Sequence, residues 1–333
     1  MILVIGGSSF IGVYTVENLL NHNCDVCVTA RNNKFREYYE TLGVQYYNLD
    51  LTNNDDFEKL PTKNIEGVIL LAGYLPANAS ADLNEKENAA TYFEVNTIGT
   101  INVLEYCRKN NIKRVISTCS YADVINSWTA DYPITEDEPR NYLYSGDHAV
   151  YVFSKNAAND VLEYYNQQHG MKNAIFRFPM VYGVGPHGKY NINGKKVKSG
   201  FQIFVENAME GKDIVIYGNK NVKRDAIYVK DVAEAFYRAI KSDKTEGLYN
   251  MTSGKCVSLF EQAQIISDVF GSEKKSKVIN NPKIKNNSKS FWFSIEKAKK
   301  DFNYQPQYSD FKKMMEDYKS DLENQKFKNL FKY

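Results

Sequence analysis

Two residues of the kind that move protons stand four apart in Tyr151-Val152-Phe153-Ser154-Lys155. On a helix, positions i and i+4 share a face, so the phenol and the ammonium project together into one cleft. A free phenol titrates near about pH 10 and is a poor base at neutrality, but a neighbouring cation favours the phenolate. Tyr151 could then exchange a proton with a substrate hydroxyl or carbonyl. The same spacing also arises as an ordinary surface contact in a chain with 25 tyrosines, so position along the chain has to separate the two readings.

A second motif opens the chain. Residues 1–5, Met-Ile-Leu-Val-Ile, run into Gly6-Gly7-Ser8-Ser9-Phe10-Ile11-Gly12 and then into an apolar helical stretch. A strand, a tight glycine turn and a helix N-terminus together make an anion site, because unpaired N–H groups and the helix dipole face the incoming group. Gly6 makes the turn and Gly12 lets helix and sheet approach. Asp50 follows the third strand, where an adenine contact would fall. The pattern predicts a dinucleotide site.

The elements that must position these groups follow from periodicity. Short β-branched runs at residues 2–5, 26–29, 44–47, 68–71, 114–118 and 174–178 read as buried strands, and helical spacing fills intervals such as 11–20 and 93–108. The alternation predicts an α/β chain: a Rossmann-type doubly wound parallel sheet with right-handed crossovers, carrying a smaller α/β substrate-binding lobe. Residues 1–180, with about 226–252, form the expected dinucleotide-binding domain. Residues 181–225 and 253–333 form the expected substrate lobe, with a Gly- and Lys-rich loop over 183–200, helices near 201–210, 259–269 and 308–322, and a strand at 214–217.

Composition narrows the function. Lys plus Arg is 42 and Asp plus Glu is 40, so a net charge of +2 supplies no field for nucleic acid or an anionic membrane. Five cysteines in apolar surroundings read as reduced thiols, and Cys24-x-x-Cys27 lacks the second pair a zinc site requires; no metal is expected. The apolar start is too short for a signal peptide or a membrane span, and a cytoplasmic location is expected. The Lys-rich stretch 189–198, with Lys195, Lys196 and Lys198, reads first as a solvated loop and second as a phosphate-facing lid. His187 reads as a loop residue rather than a substrate contact.

In order, these motifs resemble the extended short-chain dehydrogenases/reductases, the NAD-dependent epimerase/dehydratase family, over roughly residues 1–260. The family carries Gly-x-x-Gly-x-x-Gly where this chain has Gly6, Ser9 and Gly12. The resemblance implies coenzyme contacts from Gly6, Ser9, Phe10, Ile11, Gly12, Arg31, Asp50 and Leu51, from Leu71-Ala72-Gly73 after strand four, and from Asn96 on the next helix. It adds Tyr151, Lys155, and Phe178, Pro179 and Val181 beneath the nicotinamide. Where NAD-selective members hold an acidic residue this chain has Ala30-Arg31, and an Arg pairs with a 2′-phosphate, so NADP(H) is favoured with NAD(H) possible.

The resemblance also implies the chemistry. Tyr151 moves the proton, Lys155 tunes it, and Ser120 at the end of strand five holds the reacting oxygen, with Thr118 the alternative if the register slips. Arg224, in Arg224-Asp225-Ala226-Ile227-Tyr228, corresponds to an arginine that contacts a substrate diphosphate. Dehydratases follow their catalytic Thr with Asp-Glu; Tyr121 and Ala122 stand here, which disfavours dehydration. Met180 stands where many members have a phosphate-binding Asn. The readings left open are an epimerase or ketoreductase of a (nucleotide-)sugar, a reductase of a non-nucleotide carbonyl, and a non-catalytic sensor or RNA-binding relative. A homodimer paired through helices 93–108 and 149–169 is the expected assembly.

Overall fold

The structure is a computed structural model that describes residues 1–76, 89–146, 148–186, 188–192, 195–271, 275–285 and 288–331, with no side-chain description for 189–196. Seven strands make one sheet: β1 (Ile2–Ile5), β2 (Val26–Ala30), β3 (Gln45–Asn48), β4 (Gly67–Leu70), β5 (Val115–Ser120), β6 (Ala174–Phe178) and β7 (Gly247–Asn250). Their order is β7-β6-β5-β4-β1-β2-β3, and every pairing is parallel. β1, β2, β4 and β6 are buried at every position, as strands covered on both faces must be. The order reverses between β1 and β4, so a crevice opens at their C-terminal ends, where doubly wound sheets hold ligands.

Two cores flank this sheet. On one face, Ile2, Val4, Val28, Ile69, Ile116 and Phe176 pack under α1 (Phe10–Asn21) and α4 (Val229–Lys241). On the other, Leu3, Ile5, Val68, Leu70, Val115 and Cys119 pack under α2 (Gly99–Lys109) and α3 (Ala149–His169). A third core joins Tyr182, Phe201, Val205, Ile214, Ile266, Phe311 and Met315, from the segments read as the second lobe.

The differences from the sequence reading have physical causes. β7 pairs with β6, a seventh strand whose short Gly247-Leu248-Tyr249-Asn250 carries little β-branched signal. The stretch 93–108 is broken: Ala89–Phe93 is helical, Glu94–Ile98 is one π turn, and α2 follows. Residues read as a loop form an antiparallel pair, Lys189–Ile192 with Lys195–Lys198; the sequence Asn193-Gly194 between them is a hairpin signal. Ile295, Phe302, Tyr304, Leu330 and Phe331, assigned from sequence to the second lobe, pack in the first core, where Phe302 meets the rings of Phe176 and Tyr249. His187 lies outside the described residues. Among the described residues, no helix is long and apolar enough to cross a membrane.

Candidate active site

The glycine turn is a cradle that side chains would fill. Gly6 has φ +89°, and a Cβ there would lie 2.5 Å from the backbone nitrogen of Ala72. A Cβ on Gly12 would lie 2.5 Å from the carbonyl oxygen of Gly6. Ser9, where the family has its middle glycine, is extended and caps α1: its hydroxyl oxygen accepts from the Gly12 N–H at 3.0 Å. Its side chain is thereby folded back on the helix. The hydroxyl of Tyr39 donates to the Gly7 carbonyl at 2.6 Å, fixing the turn from beneath. Phe10 and Ile11 are half-buried, and the Phe10 ring lies against Gly183 and Gly185. This geometry fits the pyrophosphate of a dinucleotide.

The remaining coenzyme candidates divide into exposed and structural groups. Arg31 is exposed just beyond β2, and among the described residues its guanidinium makes no hydrogen bond or ion pair. Nearby Arg36 is engaged, donating to the Tyr46 carbonyl and to Asn48. Asp50 accepts from the N–H and hydroxyl of Thr52 at 2.9 and 2.7 Å. Leu51 is buried against Gly99, and its carbonyl accepts from Asn102. The N–H groups of Leu71 and Ala72 both donate to the Ile5 carbonyl, which extends β4 toward the crevice. Phe178 is buried in the α1 and α4 core and Pro179 is buried beside it; Met180 and Val181 are half-buried.

Asn96 ties this rim to the catalytic helix. Buried on the π turn, it accepts from the Tyr74 N–H at 2.7 Å and donates to the Tyr74 carbonyl and to the Ser154 hydroxyl. The Ser154 hydroxyl donates in turn to the Tyr151 carbonyl at 2.9 Å. The π turn, a frequent mark of functional sites, therefore turns Asn96 inward to link the loop beside Gly73 with the turn of α3 that carries Tyr151.

Tyr151 and Lys155 lie on α3, one turn apart, with the Tyr151 ring 6.4 Å from that of Tyr92. Lys155 is buried, and burial pushes its ammonium down to about 8. Burial, then the nearby Cys119 and Tyr92, push the Tyr151 phenol up. The sequence reading expected a neighbouring cation to favour the phenolate; burial acts in the opposite direction. Ser120 ends β5, but its hydroxyl oxygen accepts from the Ala122 N–H at 3.1 Å, capping the turn that follows. The β5 thiol, Cys119, lies in the core beneath α2 and α3.

Arg224 sits on strand Lys223–Asp225 and donates to Ser288 at 2.6 Å, while its Nε is buried without a hydrogen-bond partner among the described residues. It bridges to Phe291, whose ring packs on Tyr121 and Trp128 just after β5. Two groups escaped the sequence reading: the Tyr121–Trp128 stack at 4.7 Å, and the buried pair of Arg177 with Asp123 at 2.9 Å, in which Arg177 also donates to Asn250. Only strand and helix alternation in three dimensions reveals them. A groove of about 380 Å³ between α1 and α4 is lined by Glu17, Lys230, Glu234 and Lys326 and lies apart from these residues; Glu17 pairs with Lys326 across it, while Lys230 and Glu234 are held by Asp317 and Arg238. No cluster of His, Cys, Asp and Glu suited to a metal occurs among the described residues.

Comparison with known proteins gives a consistent result. A profile of the NAD dependent epimerase/dehydratase family matches residues 2–252. A putative UDP-glucose 4-epimerase of Methanocaldococcus jannaschii is 30% identical over 274 residues, 81% of this chain and 83% of the relative. A UDP-glucuronate 4-epimerase of Thermodesulfobacterium geofontis is 28% identical over 322 residues, 92% and 91% of the two chains. The solved Thermus thermophilus UDP-glucose 4-epimerase in complex with NAD is 24% identical and superposes with a TM-score of 0.72, covering 95% of this chain and 98% of that one.

Proposed function

The chain belongs to the NAD-dependent epimerase/dehydratase family, and from that premise we propose that it is a UDP-sugar 4-epimerase. The observation that carries the reading is the joining of a dinucleotide cradle at Gly6 and Gly12 to the Tyr151–Lys155 pair through Asn96 and Ser154. The residues that would hold NAD(P) are the glycine turn, Ser9, Arg31, Asp50, the backbone of 71–73, Lys155, and the backbone around Phe178, Pro179 and Val181. Bound there, the coenzyme supplies a hydride acceptor and donor beside the sugar. Tyr151 takes and returns the proton of the sugar hydroxyl, and the Lys155 cation opposes the penalty that burial puts on the phenolate. Arg224 meets the substrate diphosphate, with Met180 at its edge.

The finer preference for NADP(H) rests on the free guanidinium of Arg31, which would pair with a 2′-phosphate. Titration with NADPH and NADH tests it: stronger NADPH binding that is lost in Arg31→Ala supports the assignment, and equal binding removes it. The division into a coenzyme domain (1–180 with 226–252) and a substrate lobe is likewise our reading, with 295–304 and 330–331 returning to the first. Five unpaired thiols suit a cytoplasmic location. A homodimer through the two helical segments is supported by exposed Phe93, Ile98 and Tyr164 on them.

Incubation with UDP-glucose, UDP-glucuronate, UDP-xylose and UDP-N-acetylglucosamine, read by NMR, tests the function. Conversion of one of them to its 4-epimer supports the reading. Net reduction with stoichiometric coenzyme loss, or turnover of only non-nucleotide carbonyls, would replace it.

A further inference from the structure

The helix Phe311–Glu323 buries Phe311, Met314, Met315 and Tyr318 in the third core, with Tyr182, Phe201 and Phe270. A few residues later the chain has changed partners: Leu330 and Phe331 are buried in the first core, with residues of α1. Between the two, Gln325 and Phe327 take φ of +54° and +59°, a left-handed backbone that residues with a Cβ adopt only at a cost, so side-chain contacts must hold it. Those contacts are specific. The half-buried Phe327 ring meets Tyr14 of α1 edge-on at 5.0 Å and Tyr38 at 6.5 Å. Lys326 pairs with Glu17 of α1 at 2.8 Å and lies over the Tyr14 ring. Phe331 meets Phe35 at 5.6 Å.

The residues so contacted are the ones that shape the dinucleotide turn. Tyr14 meets the Phe10 ring edge-on at 5.7 Å, and its hydroxyl donates to the Val184 carbonyl at 3.0 Å, between the two glycines against which Phe10 lies. Tyr38 packs edge-on against Tyr39, whose hydroxyl holds the Gly7 carbonyl. Phe35 ends the short turn Asn33–Phe35 that follows Arg31 and Asn32, and the Tyr46 hydroxyl fixes the Asn32 carbonyl at 2.6 Å. Residues 326–331 therefore brace both supports of the turn, α1 and the stretch 33–41.

We infer that residues 325–331 are a strap that keeps the adenosine side of the dinucleotide site in its binding shape, with Phe327 and Phe331 as positioning residues. The inference rests on the Gly6–Gly12 turn being the coenzyme cradle. Both rings act through Tyr14, Tyr38 and Phe35. A site whose N–H groups stand ready binds more tightly than one that must be ordered by its ligand, so loosening the strap lowers coenzyme affinity. Tyr151, Lys155 and Arg224 lie on other elements, α3 and strand Lys223–Asp225, so the chemical step and the hold on the substrate diphosphate are spared.

The test compares full-length Phe327→Ala and Phe331→Ala with Phe270→Ala, a residue of like burial in the third core, 5.9 Å from Tyr318. Each is titrated, well below its own Tm, with NADH, NADPH, ADP-ribose and UDP. Both strap variants raise the Kd of NADH and NADPH about tenfold, the worth of the lost ring contacts. ADP-ribose, which carries the adenosine and pyrophosphate without the nicotinamide, loses the same factor. The Kd of UDP is unchanged, as is kcat for the UDP-sugar the wild type turns over, measured at saturating coenzyme. Phe270→Ala lowers Tm and leaves coenzyme Kd at the wild-type value. Folded strap variants that lose Tm but bind coenzyme like the wild type overturn the inference. So does a loss that ADP-ribose does not share, or one that UDP shares in full. Should either alanine variant fail to fold, Phe327→Leu, which keeps apolar bulk without the ring edges, decides on the same readings. Gly6→Ala separates the two levels. Wild-type coenzyme binding by Gly6→Ala defeats the cradle reading itself, whereas weakened binding there beside undisturbed strap variants defeats only the strap.

Discussion

Replacing Gly6 by alanine puts a methyl group where the structure has least room for one. At φ +89° an L side chain meets a backbone penalty of about 1–2 kcal/mol. The new Cβ would also lie 2.5 Å from the nitrogen of Ala72 and 2.9 Å from both its Cα and the carbonyl carbon of Leu71. All three are backbone atoms held by the hydrogen bonds of residues 71 and 72 to Ile5, so the overlap adds about 1–3 kcal/mol. The sum, about 2–5 kcal/mol, is relieved most easily by moving the turn that forms the anion cradle. At about 1.4 kcal/mol per decade, full transfer of that strain to binding weakens coenzyme affinity by roughly 30- to 3,000-fold. Whatever is not transferred appears as a lower Tm. Gly170→Ala is the control: φ is +61°, nothing lies within 4 Å of its added Cβ, and it caps α3 at the end far from Tyr151. It carries the backbone penalty alone and leaves coenzyme binding unchanged. Fluorescence titration and thermal unfolding of both variants give the comparison. Gly6→Ala protein that binds coenzyme like the wild type and loses no more Tm than Gly170→Ala would refute the reasoning.

Lys155 sets an alkaline limit. Its ammonium, pushed down to about 8 from an ordinary 10.5 by burial, is needed as a cation, so kcat/KM should fall as pH rises through about 8, and Lys155→Arg should move that limb upward. The same shift makes the burial penalty fully present below about 8 and relieved between there and 10.5, where the unfolded chain holds more protons; stability measured by denaturant should rise with pH over that window. Asp123→Ala leaves the Arg177 guanidinium buried beside Asn250 alone, and denaturant unfolding should show a loss of about 3–5 kcal/mol. Ser9→Ala removes the α1 cap and should cost about 1 kcal/mol, while Ser9→Gly costs only a few tenths, both read by thermal unfolding.

Much of this site is written in local sequence. The Gly6 to Gly12 turn, the buried strands and the Tyr151–Lys155 spacing each follow from short-range rules, and the structure joins them as those rules require. What stayed hidden depends on long-range pairing. β7 is a strand because β6 offers an edge to Gly247–Asn250, not because those four residues prefer to be extended. The π turn at Glu94–Ile98 accompanies a buried Asn96 that binds Tyr74 and Ser154, partners 22 and 58 residues away. Counting along the strand reaches Ser120, on which β5 ends, but that its hydroxyl also caps the following turn depends on how the chain leaves the sheet. Burial around Tyr151 was hidden for a related reason, since spacing shows a cation nearby but not the desolvation around both groups.

The most direct measurement follows a UDP-sugar by NMR while coenzyme absorbance is recorded, for wild type and for Tyr151→Phe. The account predicts interconversion of the 4-epimers by the wild type with no net consumption of coenzyme, and no interconversion by Tyr151→Phe although it still binds coenzyme. Interconversion by Tyr151→Phe at the wild-type rate, or a wild type that consumes reduced coenzyme mole for mole with product, would contradict it.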